Sequence, residues 1–151
     1  MTVFESAATI RWLDSPPRGM ARMTVGSGLL VPALLLSVDP EVSSPVATSP
    51  GELLAGSIGA IFAWFVAQEL LRAGTQANEL TADVTVTASG EGDTTTVGVS
   101  GISFALVGRV PKIGQERLAE VARHGMDQCV KTLGLRAEDL DVSVETVLEG
   151  A

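Results

Sequence analysis

Residues 49–66, SPGELLAGSIGAIFAWFV, open like a helix and then run almost without a polar side chain. Ser49 can cap, Pro50 suits the first helical position, and Glu52 stands three residues after Ser49, completing a capping box. The pattern predicts a helix to about Arg72 with Gly74 as its stop, roughly 23 residues and about 35 Å long. Its face is apolar almost all round, so other elements must cover it on several sides. The run from Leu53 to Ala67 falls short of the ~20 residues a bilayer needs and contains Gly56, Ser57 and Gly59. A buried core helix, not a membrane span, is expected.

Strand signals lie on both sides of this helix. ATIRWL and GLLVPALLLSV precede it, punctuated by DSPPRG and DPEVSSP. DVTVTA and TTTVGVSGISFALVGRV follow it, with SGEGD as the turn between two strands or three. A second helix is expected from about Gln115 to Leu133, ended by Gly134. Its apolar stripe is Leu118, Val121, Ala122, Met126, Cys129, Val130 and Leu133, with Glu116, Glu120, His124 and Asp127 opposite. The alternating DVSVETVLE closes the chain as a last strand. No repeat or linker interrupts residues 1–151, so one domain is expected. The order implies an α+β fold in which antiparallel strands wrap the helices. A 35 Å helix that is apolar on all sides exceeds what one small wrapper covers, so a two-fold homodimer is expected to bury the rest.

Eighteen acidic against ten basic residues give a net charge of −8, which repels phosphate backbones and anionic lipid. Neither nucleic acid nor membrane is an expected partner. One cysteine, Cys129, suits a reducing compartment, and the start MTVFESAATIRWLD lacks the form of a signal peptide, so a cytoplasmic location is expected. One histidine, one cysteine and scattered carboxylates make no metal site, and no glycine-rich loop leads from a strand into a helix as a phosphate loop would. No metal or cofactor is expected.

Three segments carry a resemblance: VATSPGELLAGSIGAIFAW, GTQANELTADVTVTA and ERLAEVARHGMDQCVKTLG. Together they resemble the OsmC/Ohr family, the osmotically inducible and organic hydroperoxide resistance proteins, over roughly residues 25 to 148. The resemblance implies an intertwined homodimer with pockets at its interface. It also implies reduction of organic hydroperoxides by two cysteines, one on each helix, aided by an arginine and a glutamate. On that pattern Ile61 stands where the peroxidatic cysteine belongs, Met126 at the resolving cysteine and Asp127 at the proline after it. The family glutamate falls on Gly51, one residue before Glu52, and Arg18 in PPRGM corresponds to the arginine. Isoleucine cannot attack a peroxide, which takes a thiolate. The peroxidase reading therefore lapses unless Cys129 substitutes.

Each remaining candidate has a plain role beside a sharper one. Cys129 sits on the apolar stripe as a small buried hydrophobe, or as a thiol without a resolving partner. His124 and Asp127 fall on the water side of their helix. Ser57 and Gln68 share a face with Ile61 and Trp64, where they either hydrogen-bond within helix packing and a dimer or orient a ligand. Glu52 caps its helix or acts as an acid. Asp14 and Arg18 form a surface ion pair, or supply proton transfer and oxyanion stabilisation at a pocket mouth. Glu69 is a further carboxylate whose surroundings depend on the fold.

Two classes of function follow. In the first, a dry pocket lined by Ile61, Phe62, Trp64, Met126 and leucines takes a hydrophobic small molecule. Asp14, Arg18, Glu52 or Glu69 would then supply cofactor-free acid/base chemistry, since burial can move a carboxyl pKa toward neutrality. Cyclisation or isomerisation fits, spiroacetal formation in a polyketide pathway being one instance. In the second, the same pocket only binds, or is filled by side chains.

Overall fold

The computed structural model describes residues 2–13, 20–26, 50–90 and 97–150. The long helix, α1 (Pro50–Arg72), begins on the proline whose missing N–H costs nothing at a helix start. Ser49, the expected cap, lies outside the described residues. At the far end Gly74 takes φ +79. Its N–H donates to the Leu71 carbonyl (3.0 Å) while the Thr75 N–H donates to that of Leu70 (3.0 Å), the paired bonds of a Schellman ending. The second helix, α2 (Gln115–Thr132), ends in the same way. Gly134 has φ +69, and the N–H groups of Gly134 and Leu135 reach the Lys131 and Val130 carbonyls. A Cβ at either glycine would meet nothing within 4 Å, so backbone conformation alone selects glycine there.

The strands are β1 (Thr2–Leu13), β2 (Met20–Val25), β3 (Glu79–Gly90), β4 (Val97–Arg109) and β5 (Asp141–Glu149), joined in one sheet in the order β2-β1-β3-β4-β5. β2 carries no strong strand pattern, and GLLVPALLLSV lies outside the described residues. Of TTTVGVSGISFALVGRV, Val97–Arg109 forms one strand, so that this segment and DVTVTA give two strands, with a bulge in the partner strand between Thr87 and Ala88. Antiparallel pairing was expected throughout. β5 instead runs parallel to β4, Phe104 opposite Val144. The cause is the connection: α2 carries the chain back along the sheet, and such a crossover returns the next strand in the same direction.

Alternation sends Leu80, Ala82, Val84 and Val86 of β3 and Ile102, Phe104 and Leu106 of β4 to one buried face. Both helices pack there. Phe62 of α1 lies against Phe104, ring centroids 4.6 Å apart. By length and composition α1 could cross a membrane, yet half of its most apolar window is buried within the protein, the position of a core helix. The edge at β5 is closed by a side chain. The Gln115 Nε2–H donates to the Thr146 carbonyl (2.8 Å) and its Oε1 accepts from the Leu148 N–H (2.7 Å). That amide copies the bridge a further parallel strand would make opposite Val147, and so blunts a sticky edge.

Candidate functional site

The two helices cross antiparallel, and three contacts mark the crossing. The Cys129 thiol donates to the Ile58 carbonyl at 3.6 Å. Gly125 faces Val66 so closely that a Cβ there would lie 2.8 Å from Val66 Cγ2. His124 Nε2 stands 3.6 Å from Glu69 Oε1. From the first contact to the last α1 advances eleven positions and α2 five, and a cleft lies beside the crossing. Ala60, Ile61, Trp64 and Phe65 of α1 and Thr132 of α2 line it, a shallow apolar cleft of about 440 Å³ that lies open to solvent. That falls in the range of small-molecule sites. Trp64 and Phe65 meet edge to face, 5.2 Å between ring centroids.

Ile61 and Trp64 therefore stand in the cleft wall together. Phe62 and Cys129 do not line it: both are fully buried in the core behind it. Met126 is partly buried against that core. Ser57 is exposed and Gln68 partly so, on the same side of α1 as Leu54 (39% exposed), Trp64 (42%) and Leu71 (45%). Positions 54, 57, 61, 64, 68 and 71 alternate steps of three and four, the spacing of a helix seam that meets another surface.

The carboxylates separate. Glu52 lies in the first turn of α1, its Oε1 3.3 Å from where a Cβ on Gly26 would sit, and it is not without a partner. Seventeen residues of helix put Glu69 about 25 Å away, so the two cannot serve one reacting group. Glu69 accepts from Arg72 as well as facing His124. Asp14 and Arg18 lie outside the described residues. Asp127 is exposed, and so is His124, yet the histidine is held beside a carboxylate rather than solvated alone. The reading from sequence passed over Ala60, Phe65, Thr132 and the Glu69–His124 contact. Their signal is present in the i, i+4, i+8 rows 61, 65, 69 and 124, 128, 132, but only the helix crossing shows that these rows face each other.

Burial pushes the Cys129 thiol up from its ordinary 9.0 to about 12. A thiol so placed gives almost no thiolate at neutral pH. Between pH 9 and 12 the unfolded chain loses this proton and the folded chain keeps it. The contribution is thus complete below pH 9 and is lost as pH climbs toward 12, by about 1.4 kcal/mol per unit at the steepest. Urea unfolding across pH 8–11 should show the wild type losing stability more steeply than Cys129→Ala; parallel curves would contradict this burial.

Solved structures share the fold. An OsmC-like protein from Mycoplasma pneumoniae aligns with 98% of this chain and 97% of its own at 14% identity and TM-score 0.58. The organic hydroperoxide resistance protein OhrB of Bacillus subtilis aligns with 97% and 98% at 16% identity and TM-score 0.58. The organic hydroperoxide resistance protein OsmC from Legionella pneumophila aligns with 97% and 96% at 18% identity and TM-score 0.55. No protein-family model matches the chain, and no curated protein does. The chain has the OsmC/Ohr fold, and identities this low carry the likeness no further than the fold.

Proposed function

We propose that this chain uses the OsmC/Ohr scaffold without thiol chemistry, taking a hydrophobic small molecule into its interhelical cleft for cofactor-free acid/base conversion such as isomerisation or ring closure. Spiroacetal formation on a polyketide is one reaction of that class. The observation that carries the reading is the pairing of an apolar cleft with a sulfur that cannot reach it. Ile61 stands in the cleft wall, and Cys129 is 0% exposed behind that wall. Once covered by a two-fold mate, such a cleft would screen developing charge poorly, and nearby ionisable groups would act strongly on it.

Two measurements test it. Cumene hydroperoxide consumption with a dithiol reductant should equal the protein-free rate for both wild type and Cys129→Ser; turnover lost in the variant would restore a peroxidase through Cys129. In a Trp12→Phe background, 1-octanol should saturably change Trp64 fluorescence, and Ala60→Phe should remove the change by filling the cleft. No response in the parent protein would leave a cleft that binds nothing of this kind. If octanol binds and no conversion of hydroxy-ketone substrates is found, a purely binding protein is the better account.

A homodimer belongs to the same reading. The seam of Leu54, Ser57, Ile61, Trp64, Gln68 and Leu71 would be covered by its two-fold mate, which would also roof the cleft. Sedimentation at micromolar concentration should give a dimer. Trp64→Glu with Leu71→Glu should give a monomer, because charges buried without partners cost several kcal/mol. The reading puts the protein in the cytoplasm, where a lone thiol stays reduced.

A further inference from the structure

The cleft is apolar along the length that Ile61 and Phe65 supply, but the helical rows that form it do not stop there. On α1 the row Ile61, Phe65 continues to Glu69, four residues and about 6 Å beyond Phe65. On α2, running the other way, the row from Thr132 passes Gln128 to reach His124, about 12 Å from Thr132. The two rows end on each other, with His124 Nε2 and Glu69 Oε1 3.6 Å apart. Glu69 is the more sheltered of the two, its side chain 23% exposed against 49% for His124. Arg72 holds its carboxylate from the solvent side. The pair does not line the cleft, whose walls are Ala60, Ile61, Trp64, Phe65 and Thr132, but stands one helical turn past Phe65, where an apolar molecule extending beyond that ring would meet it with a polar end.

We propose that the Glu69–His124 pair is the polar end of this binding site, where His124 accepts a hydrogen bond from the hydroxyl of a ligand whose hydrocarbon part lies along Ile61 and Phe65. This rests on the cleft reading above and adds to it the group that meets the ligand's oxygen. Glu69 acts as a positioning residue. The 3.6 Å between Nε2 and Oε1 exceeds a hydrogen bond; closing that gap around a bound ligand would draw the ring's Nε2–H to Glu69 and leave the other nitrogen as the acceptor, the arrangement by which a carboxylate sets an imidazole tautomer. Should a ligand hydroxyl pass its proton to that nitrogen, the imidazolium formed is balanced by Glu69, and the proton remains on the ring for return to the same molecule. The other charges near the ring are Arg72 from α1 and, within a turn on α2, Glu120, Arg123 and Asp127, of which Glu120 is engaged by Arg117 at 2.5 Å.

His124 is the chain's one histidine, so its ring signals are assigned without ambiguity. Octanol is titrated into the Trp12→Phe protein while Trp64 fluorescence and the His124 ring ¹H–¹⁵N spectrum are followed. The expected result is one Kd from both probes, with His124→Ala weakening octanol binding about three- to tenfold, the weight of one hydrogen bond. Glu69→Ala should move the ¹⁵N shifts from the Nε2–H tautomer toward a mixture, a change that a merely structural role for Glu69 would not produce. Trp64 responding while the His124 signals stay still, or His124→Ala binding octanol as well as its parent, overturns the inference and leaves the cleft reading standing. Silence from both probes overturns both.

Discussion

Replacing Phe62 with alanine is expected to lower the unfolding free energy by about 3–5 kcal/mol, the cost of emptying a large aromatic site in a packed core. Phe62 is 0% exposed and lies tilted at 43° against Phe104, so its removal takes away a ring contact between α1 and β4. Small domains hold about 5–15 kcal/mol in total, so the variant would sit close to its unfolding midpoint at ordinary temperature. Phe62→Leu keeps most of the volume and should cost roughly 1 kcal/mol. Urea unfolding at one fixed protein concentration checks both; equal losses for the two substitutions would show that the site is not packed as described.

The second large effect is expected at Gly125. A helix interior usually gains up to about 1 kcal/mol when glycine becomes alanine. Here the gain should be reversed. The new Cβ would meet Val66 Cγ2 at 2.8 Å and the Val66 backbone nitrogen at 3.3 Å, and the backbone cannot step aside as a side-chain tip can. Gly125→Ala should cost about 1–3 kcal/mol, and Gly125→Val more, by forcing α1 and α2 apart. Combining Gly125→Ala with Val66→Ala should lose less than the sum of the two single changes, since Val66→Ala removes the Cγ2 that the new Cβ would strike. Strict additivity in that cycle would mean that the helices do not cross at these residues.

How much of the fold could be read beforehand follows from which signals are local. Pro50 and Gly74 bound α1, and Gly134 stops α2, because proline at a helix start and left-handed glycine at its end are choices made by a few neighbouring atoms. The stripe from Leu118 to Val130 is buried because a period of 3.6 leaves it on one side of a helix. The parallel pairing of β5 was not legible, since DVSVETVLE alternates equally well in either direction and only the path of α2 chooses. The site divides in the same manner. Ile61 and Trp64 are visible from their face of α1. Cys129 and Phe62 share apolar stripes with lining residues and could not be told from them until the core took them in.

By itself the sequence determined the two helices and their ends, the alternation that gives the sheet a buried face, and the presence of a single thiol. Each of these depends on spacing along the chain. Tertiary structure decided the cleft between α1 and α2 and the meeting of Glu69 with His124, fifty-five positions apart. The physical reason lies in Gly125, where the absent side chain lets two helices touch at Val66. How the helices cross there sets which rows of side chains face one another, a quantity that no local pattern contains.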